Sequence, residues 1–339
     1  MSECISLAQG RFRQVSPNPM VGSIITNGED IIAKGSHEIY GDSHAEVNAL
    51  NQIKDLNIDK SNLNLFVNLE PCAHHGKTPP CAKAIIESGI KNVYIGSLDP
   101  NPKVSGKGIK FLKDNNINVI ENVLNKKCEE LNKRYFCFHK NKRPYIILKW
   151  AQTSDGFIAR EDYSSKWISS LESRTLVHKW RSEENAILVG TNTAKYDNPN
   201  LTVRHAEGAN PIRVLIDKEL KIKENNILNK ESNTIIFNSN KSEVIDNLNY
   251  IKIDFTENTI AQILKELYKL QIQSMIIEGG SKTIGYFIDN NSWDEARVFT
   301  SDQKFQSGVK APRLDPQFII KSNKINSDTL TILNRIRVN

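Results

Sequence analysis

Cysteine is scarce in this chain. There are five in 339 residues, at positions 4, 72, 81, 128 and 137. So few in so long a chain exclude a disulfide-built scaffold and leave the thiols free for other chemistry. No apolar run approaches the ~20 residues that a membrane-spanning helix needs. The N-terminus also lacks the charged-then-apolar pattern of a secretory signal, so a cytoplasmic protein is expected. No G-x-G-x-x-G follows a strand pattern, and the standard dinucleotide fingerprint is therefore missing. Internal repeats are absent, and so are blocks of like charge. The net charge of +6 comes from Lys and Arg dispersed among Asp and Glu. That is too mild and too scattered to argue for a nucleic-acid surface, though it suits a phosphorylated small molecule. The composition, 39% hydrophobic and 25% charged, is that of a globular protein. The length predicts two domains, because single cores rarely grow beyond ~250–300 residues.

What the chain does have is concentrated between His44 and Cys81. His44-Ala45-Glu46 is followed, after a helix and a strand, by Glu70-Pro71-Cys72 and by Pro79-Pro80-Cys81. One imidazole and two thiols are ligands that Zn²⁺ prefers, and three protein ligands leave a fourth tetrahedral position for water. Glu46 is placed to act as the acid/base group beside that water. Two plainer readings stay open. The cysteines could be a pair of buried thiols, or the site could be structural, with His74 or His75 as fourth ligand. His-x-Glu counts against a structural site, which has no use for Glu46.

Around this core the sequence predicts an opening helix at 3–10 and a Pro-bracketed turn at Ser16-Pro17-Asn18-Pro19. A hairpin of 21–26 and 30–34 closes at Asn27-Gly28. Asp42 or Ser43 should cap a helix over 44–56. A strand at 63–69, a helix from Cys81 to Gly89 and a strand at 93–98 come next. Helix 106–115, strand 119–120 and helix 126–138 complete the domain. The helix start at Cys81 favours a thiolate. A basic stretch at 139–144 marks the boundary, dividing the chain into 1–141 and 142–339.

In the second part, strand 145–150 turns at Ser154-Asp155-Gly156 into a return strand at 157–159. Helix 171–182, strand 186–190 and a short helix ending at Asp197-Asn198-Pro199 come after it. Strands are expected at 212–217, 234–237 and 250–253, with a helix over 258–270. A buried strand then enters Glu278-Gly279-Gly280-Ser281. The two glycines allow close approach of a ligand, and Ser281 could cap a helix whose free N–H groups suit a phosphate.

His-x-Glu followed by Pro-Cys and a second Cys resembles the zinc-dependent deaminases, in which the Glu is not a ligand. The wider Cys spacing and the run EPCAHHGKTPPC resemble bifunctional riboflavin biosynthesis proteins of the RibD type. Later runs, LKWAQTSDG, SSKWIS, ILVGTNTAKYDNPNLTVR, PIRVLID and IIEGGS, resemble the reductase half of the same family. The resemblance implies a three-layer α/β/α cytidine-deaminase-like domain and a dihydrofolate-reductase-like α/β domain. The implied cofactors are Zn²⁺ and NADPH. The implied substrate is a phosphoribosyl pyrimidine that is first deaminated and then reduced from ribosyl to ribityl. Carried over by position, His44, Cys72 and Cys81 hold zinc and Glu46 is catalytic. Asn18, His37 and Lys77 contact substrate in the first domain; Lys149, Ser165, Arg181, Leu201, Arg204 and Glu278 do so in the second. Trp167, Thr193, Asp197, Gly280, Ser281, Lys282 and Thr283 contact NADPH. The family further implies a homo-oligomer that engages neither nucleic acid nor membrane. Against the family pattern, 160–164 lacks a glycine before Ser-x-Trp, and DQKFQSGVKAPRL lacks a Gly-Gly. Other assignments of the zinc motif are a nucleic-acid deaminase, such as a tRNA adenosine editor, and a non-catalytic zinc-binding protein.

Overall fold

The computed structural model describes residues 1–73, 79–165 and 167–335. The chain divides into two compact units, Met1–Lys142 and Arg143–Asn339. The first runs α1 (Ser2–Ala8), α2 (Phe12–Val15), β1 (Gly22–Asn27), β2 (Asp30–Ser36), α3 (Ala45–Gln52), β3 (Asn64–Leu69), α4 (Cys81–Ser88), β4 (Asn92–Ser97), α5 (Lys107–Asp114), β5 (Asn118–Ile120), α6 (Asn125–Leu131) and α7 (Lys133–Asn141). Gly28, at φ +58°, closes the β1–β2 hairpin. The sheet order is β2-β1-β3-β4-β5, with β3, β4 and β5 parallel. Parallel neighbours need crossovers, and α4 and α5 supply them. α3, α4 and α5 pack on one face and α1 and α6 on the other, giving three layers. Ile25, Leu65, Val67, Val93 and Ile95 pack against Leu50, Ala82, Ile85 and Leu112 of the helices. Each fully buried Ile or Leu contributes roughly 1.5–3 kcal/mol, so the ends of β3 and α4 are firmly seated.

Two expectations for this unit are corrected. Neither Asp42 nor Ser43 caps α3; His44 is its N-cap, with extended backbone and no capping side-chain bond. Its imidazole is committed instead to the two cysteines. The helix expected over 126–138 is two helices, α6 and α7. They break at Asn132, whose side chain bonds the backbone of Met20.

The second unit runs β6 (Tyr145–Gln152), β7 (Phe157–Ala159), α8 (Leu171–Glu183), β8 (Ala186–Gly190), α9 (Thr191–Asp197), β9 (Ile212–Ile216), β10 (Thr234–Asn238), β11 (Glu243–Ile245), β12 (Leu248–Lys252), α10 (Thr259–Lys269), β13 (Ser274–Ile277), α11 (Ser281–Asp289), β14 (Glu295–Thr300), β15 (Val309–Lys310), β16 (Ile319–Ile325) and β17 (Asp328–Asn334). Its main sheet has the order β11-β12-β10-β9-β8-β13-β6-β14-β17-β16. From β12 to β14 all neighbours are parallel, and the margins are antiparallel. Ile146, Leu148, Val214, Phe237, Met275 and Ile277 form the core. The carboxyl ends of the parallel strands open along one edge, where ligands of open α/β sheets sit.

Three details differ from the sequence reading. β7 is not a return strand of β6; it pairs with β15 in a separate ribbon. The partner strand lies in the divergent run after β14, where no strand pattern is visible. Ser281 is the first residue of α11 rather than its cap, which is Gly280. The β16–β17 hairpin went unforeseen because β16 is exposed almost throughout and carries no alternation. No helix among the described residues is long and apolar enough to cross a membrane.

Candidate active sites

The end of β3 and the starts of α3 and α4 bring His44, Cys72 and Cys81 together, with their ligand atoms all within 4.8 Å of one another. His44 Nδ1 lies 3.2 Å from Cys81 Sγ and 3.7 Å from Cys72 Sγ. Around one Zn²⁺ with Zn–N of about 2.0–2.1 Å and Zn–S of about 2.3 Å, tetrahedral edges would be roughly 3.5–3.8 Å. The donor set fits that ion; the 3.7 Å separation matches such an edge and the 3.2 Å one is slightly shorter. The Cys72 thiol is held low, at about 4, by hydrogen bonding from Cys81 and His44 against the cost of burial. The backbone N–H of Cys81, at the start of α4, also donates to Cys72 Sγ at 3.4 Å.

Glu46 lies in the first turn of α3 and is only 3% exposed. Burial pushes its carboxyl up to about 6, opposed by the nearby His44. Asn18 and His37 meet beside this cluster. Asn18 Nδ2 lies 3.1 Å from His37 Nε2, and His37 Nδ1 lies 3.2 Å from the Ser43 carbonyl. A carbonyl only accepts, so Nδ1 carries the proton and Nε2 accepts from Asn18. Burial lowers the His37 pKa, in keeping with that neutral form. The His37 and His44 rings stand edge to face at 5.2 Å. Lys77, with His74 and His75, lies outside the described residues.

In the second unit a cavity of about 820 Å³ opens at the strand ends. Lys149, Ser165, Trp167, Arg181, Thr193, Asp197, Leu201, Arg204, Glu278 and residues 280–283 all line it. The sheet order explains the centre of this site. β13 lies between β8 and β6, so Glu278 at its end faces Lys149. Arg181 of α8 grips Glu278 with two bonds, Nε to Oε1 at 2.9 Å and Nη2 to Oε2 at 2.8 Å. Lys149 Nζ sits 3.3 Å from Oε2. Burial alone would raise the Glu278 pKa; Arg181 and then Lys149 override it and hold the carboxyl at about 2. Burial lowers the Lys149 pKa, and Arg181 adds to this against the pull of Glu278.

Arg181 therefore has a carboxylate partner in this structure, whereas the exposed Arg204 contributes its backbone N–H to His178 Nδ1 at 3.3 Å. Ser165 donates to Asp197 at 3.1 Å. Trp167 is 60% exposed, which rules out the core role that a lone Trp suggests, and Arg174 stacks on its ring at 4.3 Å. Thr193 Oγ1 accepts the Gly280 N–H at 2.9 Å. Gly280 has an ordinary φ of −67°, and a Cβ there would meet only Thr193 Oγ1 at 3.5 Å. The fold does not demand glycine at this point; its smallness leaves room over the first turn of α11. That room, the helix start and the cavity fit a dinucleotide phosphate.

Some lining residues escaped the sequence reading. His178 is buried, lines the cavity and is pushed down to about 4 by burial and by Arg181. It lies three residues before Arg181 on α8, and that i, i+3 spacing was a usable signal. Tyr163 and Tyr196 stack at 4.7 Å on the rim, where no sequence signal marks them.

Known protein families match each half of the chain. Residues 1–97 match the cytidine and deoxycytidylate deaminase zinc-binding region, and residues 144–301 match the RibD C-terminal domain. The chain thus joins a zinc-dependent deaminase to an NADPH-dependent reductase. It is 38% identical to the riboflavin biosynthesis protein RibD of Aquifex aeolicus over 96% of this chain and 92% of that one. To RibD of Bacillus amyloliquefaciens it is 39% identical, over 88% and 82%. A crystal structure from Thermotoga maritima, of a diaminohydroxyphosphoribosylaminopyrimidine deaminase/5-amino-6-(5-phosphoribosylamino)uracil reductase, superposes with a TM-score of 0.89. It is 36% identical and covers 98% of this chain and 97% of its own. The chain belongs to the RibD family, the bifunctional deaminase-reductases of riboflavin biosynthesis.

Proposed function

We propose that residues 1–141 deaminate a diaminohydroxyphosphoribosylaminopyrimidine and that residues 142–339 reduce the product, 5-amino-6-(5-phosphoribosylamino)uracil, at its ribosyl carbon. The observation that carries the first half is a buried Glu46 beside the converged His44, Cys72 and Cys81. Those three side chains would hold Zn²⁺, which would supply the Lewis acidity to bring a water toward a pKa of about 7. Glu46 takes the proton from the attacking water and returns it to the departing ammonia. A carboxyl near 6 can hold or release a proton at neutral pH, which suits both tasks. Asn18 and His37 orient the pyrimidine.

In the second half, residues 280–283, Trp167, Thr193 and Asp197 would hold NADPH, which would supply the hydride for the ribosyl carbon. Lys149 gives the proton to the oxygen released as the sugar opens. Its ammonium lies in the cavity and burial has lowered its pKa, so it is a better acid than a surface lysine. Arg204 takes the substrate phosphate, while Ser165, Arg181, Leu201 and Glu278 shape the pocket around the sugar. The enzyme works in the cytoplasm as a homo-oligomer on this small molecule, without nucleic acid or membrane. Ile319 and Ile320, exposed on the outermost strand β16, offer a surface for a second copy.

Removing zinc separates the halves. After treatment with a chelator, ammonia release from the pyrimidine should fall to background and return with added Zn²⁺. NADPH oxidation with the uracil nucleotide should be unchanged. Deamination that survives complete zinc removal would overturn the assignment.

A further inference from the structure

We propose that Asn68 and Asn132 are positioning residues of the deaminase site, through which Asn18 and His37 are aimed at the substrate. The proposal rests on the reading of Asn18 and His37 as substrate contacts.

Both side chains are buried, Asn68 fully and Asn132 at 3% exposure. A buried amide is costly unless each of its polar atoms finds a partner. These two amides spend theirs on one tripeptide, residues 20–22. Asn132 Oδ1 accepts the Met20 N–H at 2.8 Å, and its Nδ2 donates to the Met20 carbonyl at 2.9 Å. Asn68 Nδ2 donates to the same carbonyl at 3.0 Å, and its Oδ1 accepts the Gly22 N–H at 2.7 Å. Together the two amides act as a short substitute strand beside a segment that precedes the sheet.

This tripeptide is tied to both substrate contacts. Asn18 lies two residues upstream of Met20. The Val21 carbonyl accepts the His37 N–H at 2.9 Å, and the two side chains then meet at 3.1 Å. The segment is held from the other side as well. The Met20 side chain is buried with Ala8, Phe12 and Val15, and a Cβ on Gly22 would run into the Cys4 carbonyl. A chain held on both sides has one way to present Asn18. Asn68 comes from β3, four residues before Cys72, and Asn132 from the α6–α7 break. The turn is thus referenced to the same strand that places a zinc ligand.

Asn132→Asp keeps the size and the acceptor for the Met20 N–H, but turns a carboxylate oxygen toward the Met20 carbonyl. In the full-length zinc enzyme we expect the KM for the pyrimidine nucleotide to rise about tenfold, with kcat changed less than about threefold. Zinc content and reductase kinetics should match the parent. Asn18→Ala should raise KM similarly, and the double variant should fall short of the product of the two single effects, because Asn132 acts in part through the Asn18 contact. Should Asn132→Asp lose zinc or reductase activity, Asn68→Ser decides by the same measurements. A lowered melting temperature with unchanged KM, or full additivity with Asn18→Ala, would show a merely structural role and overturn the proposal. An unchanged KM in Asn18→Ala would refute the substrate reading of Asn18, and this proposal with it.

Discussion

Glu46→Gln is expected to lower the deaminase kcat by about 10²–10⁴-fold while the protein keeps its zinc and its reductase activity. The amide matches the carboxylate in shape and fits the same buried position in the first turn of α3. It cannot take up a proton, so it can neither activate water nor protonate the leaving ammonia. His44, Cys72 and Cys81 satisfy the zinc donor set without it. Ammonia release, zinc content and NADPH oxidation measured on one preparation check each part. Retained deamination would remove Glu46 from the chemistry. Loss of zinc would make it a ligand or a support for one.

Glu278→Gln should produce the other large effect, and in the other half of the molecule. Glu278 is the only carboxylate bonded to Arg181 or Lys149 among the contacts observed in the described residues. Neutralising it leaves two buried like charges facing each other, and breaking a buried pair in this way costs about 3–5 kcal/mol. Lys149 would shift, and misplacement of a reacting group by about an ångström costs on the order of a hundredfold in rate. We expect reductase kcat/KM to fall on that order while deaminase kinetics hold. The stability effect has a definite pH sign. The Glu278 pKa is depressed to about 2 from an ordinary value of 4.5. Its stabilisation is therefore complete above pH 4.5 and is lost as pH falls toward 2. Denaturant unfolding of parent and variant across that window should show the parent's acid-side loss diminished in Glu278→Gln. A variant with parental reductase kinetics would contradict the placement of Glu278 at the site.

How far these sites could be read in advance follows from the kind of signal each carries. His44, Glu46, Cys72 and Cys81 have distinctive chemistry at fixed spacing, so the residues that converge in space could be named from the chain. Gly280 and Glu278 were visible because a buried strand runs directly into them. The Glu278–Arg181–Lys149 cluster could not be assembled in advance, since it depends on β13 entering the sheet between β8 and β6. Asn68 and Asn132 were equally silent. Asparagine in a strand or between helices reads as an indifferent polar residue until its backbone partners are known. The β7–β15 pairing was missed for a related reason: its two short strands lie about 150 residues apart, and although 157–159 reads as a strand, 309–310 shows no pattern alone.

The most direct test of the whole account follows ammonia release and NADPH oxidation in a single reaction of purified zinc enzyme with the diaminopyrimidine ribosyl phosphate. Ammonia should appear without NADPH present, and NADPH should be consumed only after ammonia has been released. NADPH oxidation that precedes deamination, or ammonia release that requires NADPH, would contradict the order in which the two sites are proposed to act.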